Sequence, residues 1–311
     1  MSSIMTNTSA LTALQSLNAT NANLNTTQSR ISTGYKVASA SDNAAYWSIA
    51  TTMRSDNSAL STVKDALGLG SSTIDVAYTG VNSAIDVTKE IKNKLVAALQ
   101  PGVDREKIQS EITELQSQLK SIGDSSSFSG QNWISTDSSA TGYNATKSIV
   151  ASFNRSGGAV SVATITFDTS GSTLFDASTT ADGILDGKRD ATGALSATGT
   201  ASVATMDISA LTDSTTDLAT LNGYVKAADA AISEMTTSAS NLGAVKSRVT
   251  LQKDFVTNLM SAITTGVGTL VDADMNEEST RLQALQVQQQ LGVQALSIAN
   301  QSSQTILSLF R

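Results

Sequence analysis

The chain has 311 residues, a formal net charge of −7 and neither cysteine nor histidine. Those absences exclude disulfides, thiol nucleophiles, Cys-based zinc sites and every imidazole mechanism, and an acidic balance without a long basic run argues against nucleic-acid binding. Hydrophobic residues make up 40%, yet aromatics only 4%, and Pro101 is the single proline, so small aliphatic side chains must be buried along extended seams in long, uninterrupted helices.

Met1 to Leu17 contains no Lys or Arg and no compact apolar stretch, so it does not read as a secretory signal peptide. No apolar run reaches the roughly 18 residues of a membrane span, and no membrane partner is expected. Taken alone, this favours the cytoplasm. Leu17, Leu24 and Ile31 then recur at a spacing of seven, with Leu11 and Leu14 alongside.

From Met53 a strict seven-residue column follows: Leu60, Leu67, Ile74, Val81, Thr88 and Leu95, broken only by Thr88. Asp56, Val63, Gly70, Ala77, Ala84, Ile91 and Ala98 form a partner column. These are the two apolar positions of a coiled-coil seam. The pattern predicts a helix from about Ala44 to Leu99, roughly 80 Å long at 1.5 Å per residue. Gly68 and Gly70 lack a following Lys-Ser/Thr, so they are no phosphate loop; close helix contacts explain them better. Pro101-Gly102 breaks the helix, and Asp104 is the N-cap of a second one carrying Ile108, Ile112, Leu115, Leu119 and Ile122. Gly123 is expected to end it, completing an antiparallel hairpin. Phe128 and Trp133 are read as packing a β-hairpin that caps the bundle.

Between Ser138 and Leu221 the chain turns to Ser, Thr, Gly and Ala. Alternating runs at 148–153, 160–167 and 201–208 predict short strands separated by turns. A second long helix follows, with the column Ala228, Met235, Leu242, Val249, Val256, Ile263 and Leu270. Its companion column is interrupted by Lys246 and Lys253, which either set register or are solvated. The acidic run Asp272 to Glu278 lacks EF-hand spacing and reads as the first turn of a helix. The last segment has Leu282, Leu285, Leu291, Leu296 and Ile298, then Ile306, Leu307, Leu309, Phe310 and Arg311. Its apolar residues are not confined to one face, so it requires partners on several sides.

The expected fold is therefore mainly α, a long antiparallel helical bundle with a small β-rich insertion. The bundle core comprises Met53, Leu60, Leu67, Ile74, Val81, Leu95, Ile108, Ile112, Leu115, Leu119, Met235, Leu242, Val249, Val256, Ile263 and Leu270. The two ends bury too few aliphatic side chains to offset the entropy of ordering them alone. They are expected to be disordered in the monomer and to fold when neighbouring chains cover them.

Several segments carry a family resemblance. Arg30-Ile-Ser-Thr-Gly34, Ser39-Ala-Ser-Asp-Asn-Ala-Ala45 and Ile49-Ala50 resemble the N-terminal pattern of bacterial flagellins: Arg-Leu-Ser-(Ser/Thr)-Gly, Ser-Ala-x-Asp-Asp-Ala-Ala, Ile-Ala. Leu242-Gly-Ala-Val-Lys-Ser-Arg248 is similar to the family's Leu-Gly-Ala-x-x-Asn-Arg, and Asp272-Ala-Asp274 to its Glu-Asp-Ala-Asp. Ala299 to Arg311 is similar to its Ala-Asn-Gln…Leu-Ser-Leu-Leu-Arg ending. The order and placement make the combination specific.

The resemblance implies a layered subunit. A D0 helix and spoke would occupy residues 1–42, the D1 helical hairpin and β-hairpin 43–137, and a surface-exposed β-rich domain 138–221. The C-terminal D1 helix would be 222–270, and the C-terminal D0 helix 271–311. It implies self-assembly into a helical homopolymer, with other flagellins as possible co-subunits. The self-assembly interface would contain Leu11, Leu14, Leu17, Leu24, Ile31, Leu282, Leu285, Leu291, Leu296, Ile298, Ile306, Leu307, Leu309, Phe310 and Arg311. Further implied partners are a flagellar export chaperone, the filament cap and hook-associated junction proteins. The resemblance also implies type III export in an unfolded state, which moves the expected localisation to the extracellular filament.

Three departures stand out: Asn43 replaces the second Asp of the core, Ser41 stands where Lys is common, and Tyr46 and Trp47 are bulkier than usual. In the family a plant immune receptor reads this segment. Residues 89–96 also lack the Arg-x-Arg-Glu-Leu pattern read by the animal receptor, so both host receptors are expected to respond weakly. These variations resemble flagellins of soil and plant-associated α-proteobacteria. Tyr46 and Trp47 read equally as an inter-subunit contact or as a loop packed on the bundle. Alternative functions are a hook–filament junction protein, an exported coiled-coil effector, or a secreted enzyme in the middle domain, where no nucleophile motif appears. No enzyme activity, cofactor or metal is expected.

Overall fold

The computed structural model describes residues 7–156, 159–178, 182–196, 199 and 201–308, with side chains as far as residue 301. Five helices dominate: α1 (Thr8–Thr33), α2 (Ala44–Ala98), α3 (Arg105–Ser125), α4 (Thr215–Val271) and α5 (Met275–Ser308). The strands are β1 (Ser127–Phe128), β2 (Gln131–Asn132), β3 (Ser135–Thr136), β4 (Thr146–Ser156), β5 (Ala159–Asp168) and β6 (Phe175–Asp176). They form three two-stranded sheets: β1–β2 and β4–β5 antiparallel, β3–β6 parallel. The chain divides into two compact units, residues 1–58 with 260–311, and residues 59–259; α2 and α4 contribute to both.

In the 59–259 unit the seven-residue columns face inward. Leu60, Leu67, Ile74, Val81 and Leu95 of α2 are buried, as are Met235, Leu242, Val249 and Val256 of α4. Thr88, the break in the column, is also buried: its hydroxyl donates to the carbonyl of Ala84 at 2.7 Å, so its own helix satisfies it. On α3, Ile112 and Leu119 are fully buried, while Ile108 and Leu115 are half-buried. Asp104 caps α3 by accepting from the Lys107 amide at 3.3 Å. Lys246 is half-exposed and reaches Asp75 of α2 at 2.6 Å, whereas Lys253 is exposed. One lysine thus bridges helices and the other is solvated.

Four expectations are corrected. Gly123 does not end α3, which continues to Ser125. The glycine is buried because a Cβ there would lie 2.6 Å from the Phe175 ring. Gly70 is not a helix–helix contact, since a Cβ on it would meet Ile149 of β4 at 2.6 Å; Gly68 has open space beside it. Residues 201–208 are not a strand. Only Ala201 forms an isolated bridge, to Arg189, and the segment turns, with the Met206 amide donating to Ser202 O at 2.9 Å. Side chains of α3 take up three more of its backbone groups, and the Ala204 amide donates to Leu185 O at 2.9 Å. Gln116 Nε2 donates to the carbonyls of Val203 (3.1 Å) and Met206 (3.0 Å), and Gln109 Oε1 accepts from the Ile208 amide. Backbone polarity inside a protein must be met somewhere, and two glutamines here replace a neighbouring strand. Finally, Tyr46 and Trp47 lie in the first turn of α2, not in a loop, and both are exposed.

Strands β4 and β5 fall where alternating runs predict them, but in β5 only Ile165 and Phe167 are buried, while Val160 and Val162 stay exposed. β4–β5 pairs Thr146 with Asp168 through Ser156 with Ala159, with a bulge at Val150/Ser152. Trp133 is buried and stacks on Phe167 of β5, ring centroids 5.8 Å apart.

Candidate assembly surface

The unit formed by residues 1–58 and 260–311 is held at its centre by a small apolar cluster. Val37, Ala50, Val267 and Val271 are buried, with Met53, Ile263 and Leu270 packed against them half-exposed. The chain reaches this cluster from α1 through Gly34, whose positive φ of 75° closes the helix, its amide donating to Arg30 O at 2.8 Å. Tyr35 then bridges Asp272, Lys36 N donates to Val271 O at 2.8 Å, and Ala273 N donates to Gly34 O at 2.9 Å. The end of α1 and the start of α5 are thereby stitched together through the backbone.

The loop before α2 is organised by Asp42. Its carboxylate accepts from the Ser39 amide (2.9 Å), the Ala38 amide (3.0 Å) and the Ser39 hydroxyl (3.1 Å). The Ser39 amide bond is the largest of the contacts that hold the Asp42 pKa below its ordinary value. Asn43 N-caps α2, its Oδ1 accepting from the Tyr46 amide at 3.1 Å. Asn and Asp cap about equally well, so replacing the family's second Asp leaves the local structure intact.

α1 and α5 run antiparallel along each other. Asn7 Nδ2 donates to Ala299 O (2.9 Å), Gln289 Nε2 to Asn21 Oδ1 (2.8 Å) and Arg30 Nη1 to Glu278 Oε1 (3.0 Å). Leu17 lies close to Gly292, where a Cβ would come within 3.2 Å of it. Glu278 is buried and also receives Arg281 at 3.2 Å. Asp274 caps α5 by accepting from the Asn276 amide at 2.8 Å, and Glu277 and Glu278 fill its first turn. The acidic run is therefore a helix start that suits the dipole. Among the described residues no three acidic, His or Cys side chains gather as metal ligands.

What the pairing leaves uncovered is the main feature. Only Leu24 and Leu285 of the named apolar residues are buried, while Leu17, Ile31, Leu282 and Leu296 are half-buried. Leu11 is 59% exposed, Leu291 57% and Ile298 67%, and Leu14, Val287 and Val293 are also exposed. Exposed aliphatic side chains on several sides of a helix pair mark an association surface. Ile306 and Leu307 lie on α5, but their side chains, and Leu309, Phe310 and Arg311 entirely, fall outside the described residues. Asn7, Asn21, Arg30, Glu278 and Gln289, which link the two ends, are polar partners far apart in sequence and leave no periodic trace in it.

Residues 4–139 match the family model described as the bacterial flagellin N-terminal helical region, and residues 225–310 the bacterial flagellin C-terminal helical region. The chain belongs to the bacterial flagellin family. It is 54% identical to flagellin C and 44% identical to flagellin A, both of Rhizobium meliloti (strain 1021). It is also 44% identical to a flagellin of Brucella melitensis biotype 1. Each of these three alignments covers 100% of both chains. The two helical-region matches leave residues 140–224 between them, the stretch that holds β4, β5 and β6.

Proposed function

We infer that this flagellin is a structural subunit of the flagellar filament, assembling through its paired terminal helices into the extracellular tube that serves as propeller. The observation that carries the reading is the exposed aliphatic surface of α1 and α5 in a chain of this family. Copies of the chain, with other flagellins, would cover it. Among the described residues no helix is long and apolar enough to cross a membrane.

In finer detail, residues 1–42 and 271–311 would form the inner D0 layer and 43–137 with 222–270 the D1 layer. Residues 138–221 would face outward. The apolar residues of α1 and α5, from Leu11 to Ile31 and Leu282 to Ile298, would form the inter-subunit contacts, together with 306–311. Export of the unfolded chain through the flagellar type III channel, with a chaperone, and assembly beneath a cap onto junction proteins complete the route. A weak response from plant and animal receptors follows from the altered segments at 39–47 and 89–96.

Electron microscopy of the full chain beside a version lacking residues 272–311, both seeded under precipitant, tests the function. Filaments from the full chain and none from the truncation are expected. A full chain that stays a folded monomer under seeding would point to a junction protein or an exported effector.

A further inference from the structure

The chain holds no cysteine, so its seven methionines are its only sulfur. Among the described ones, Met206 and Met235 are fully buried. Met275 is exposed in the first turn of α5. Met53 and Met260 are half-buried, and of these two only Met53 packs into the apolar cluster at the centre of the 1–58 and 260–311 unit.

Met53 also stands apart within its own seven-residue column. Every later member, from Leu60 to Leu95, is buried, whereas the first is partly open to water. Its side chain packs against the cluster of Val37, Ala50, Val267 and Val271, and its Cε lies 3.6 Å from the point where a Cβ on Gly266 would stand. An unbranched thioether fills an irregular gap of this kind well. Here it helps to fasten the Val37 segment, which follows α1, to α2 and α4. One sulfur is thus both reachable from water and part of the packing that holds the terminal unit together.

We propose that Met53 is an oxidation site through which a peroxide weakens assembly. The thioether sulfur attacks the peroxide O–O bond and gives up two electrons. That bond breaks, one oxygen stays on sulfur as the sulfoxide, and the other leaves as water. Oxidation turns a flexible apolar side chain into a polar one. The cluster around it, with Ile263 and Leu270 at its edge, consists of aliphatic side chains that offer no hydrogen-bond donor. The new oxygen therefore stays unpaired, at a cost, or turns out to water and draws the side chain from its place. Either way the Val37 segment loosens on α2 and α4, and with it the base from which α1 and α5 pair. This inference rests on the filament reading and adds a chemical control to it.

The test exposes the dilute full-length chain to hydrogen peroxide, maps it by peptide mass spectrometry and polymerises it on untreated seeds. Met53 and Met275 are expected to gain one oxygen well before Met206 and Met235. The critical concentration should rise about tenfold or more, and treatment with methionine sulfoxide reductases should bring it back. Met53→Leu nearly conserves volume, so this variant should polymerise normally and stay insensitive to peroxide. Met260→Leu and Met275→Leu should remain as sensitive as the unaltered chain. Met53→Gln, which places a polar side chain there permanently, should raise the critical concentration without peroxide. Full oxidation of Met53 with an unchanged critical concentration would overturn the site. So would a Met53→Leu chain that still loses polymerisation to peroxide, or a Met53 that stays unoxidised while Met206 or Met235 reacts. Failure of the untreated, unaltered chain to polymerise on seeds would instead overturn the filament reading, and the effect on assembly with it.

Discussion

The guanidinium of Arg189 is fully buried and held by Glu234 of α4 through two bonds, Nη1 to Oε1 at 3.0 Å and Nη2 to Oε2 at 2.7 Å. The same side chain donates to the carbonyls of Gly193 and Ile184, and its backbone amide donates to Ala201 O. One arginine therefore gathers three irregular segments onto α4. Glu234→Ala would strand a buried cation, at a cost of about 2–3 kcal/mol, the lower end for a broken buried pair because Glu234 still touches water. Hydrogen exchange should speed up at 184–196 while the amides of α1 and α5 are unchanged. Unaltered exchange at 184–196 would show that the pair does not anchor the region.

Gly68 and Gly70 should respond in opposite ways to alanine. At residue 68 the added Cβ meets nothing within 4 Å, so the gain is the helix propensity of alanine over glycine, up to about 1 kcal/mol. At residue 70 it runs into the branched side chain of Ile149. Overpacking of about 1–3 kcal/mol then outweighs that gain. Thermal unfolding of the two variants should move Tm up for Gly68→Ala and down for Gly70→Ala.

Acid should weaken the loops before it weakens the helical seams. The Arg105 hydrogen bond, first among the causes, holds Asp213 below its ordinary pKa, and amide donors do the same for Asp42. A depressed folded pKa gives stability that is complete above the ordinary value of about 3.9 and lost as pH falls through the lower folded value. Asp186 has the opposite sign, because burial raises its pKa and protonation relieves it. Between pH 5 and pH 3 Tm should fall, and Asp213→Asn should flatten part of that fall. An identical slope in the variant would remove Asp213 from the account.

The terminal helices should be the least protected part of the dilute chain. Most of the aliphatic side chains of α1 and α5 stay at least partly exposed after the two helices pair, which is too little burial to hold so many residues firmly. Amide exchange there should be fast in monomer and slowed by orders of magnitude in filaments. Strong protection of both ends in the monomer would mean that assembly does not depend on ordering them.

Much of this was legible in the sequence because it is periodic and local. The columns through Leu67 and Leu242, the cap at Asp104 and the alternation that became β4 and β5 each depend on residues a few positions apart, and the flagellin motifs at both ends supplied the family. Tertiary structure alone decided the rest. Thr88 breaks a pattern on paper, yet sits in the core because its hydroxyl turns back to its own helix. Residues 201–208 alternate like a strand, yet Gln109 and Gln116, roughly ninety residues earlier, take over its backbone partners. Gly70 makes room for a strand instead of a helix, and Arg189 finds Glu234 across forty-five positions. Periodicity states which side of an element must leave water. It does not state which distant group will satisfy a buried polar atom, because that depends on where the chain returns in space.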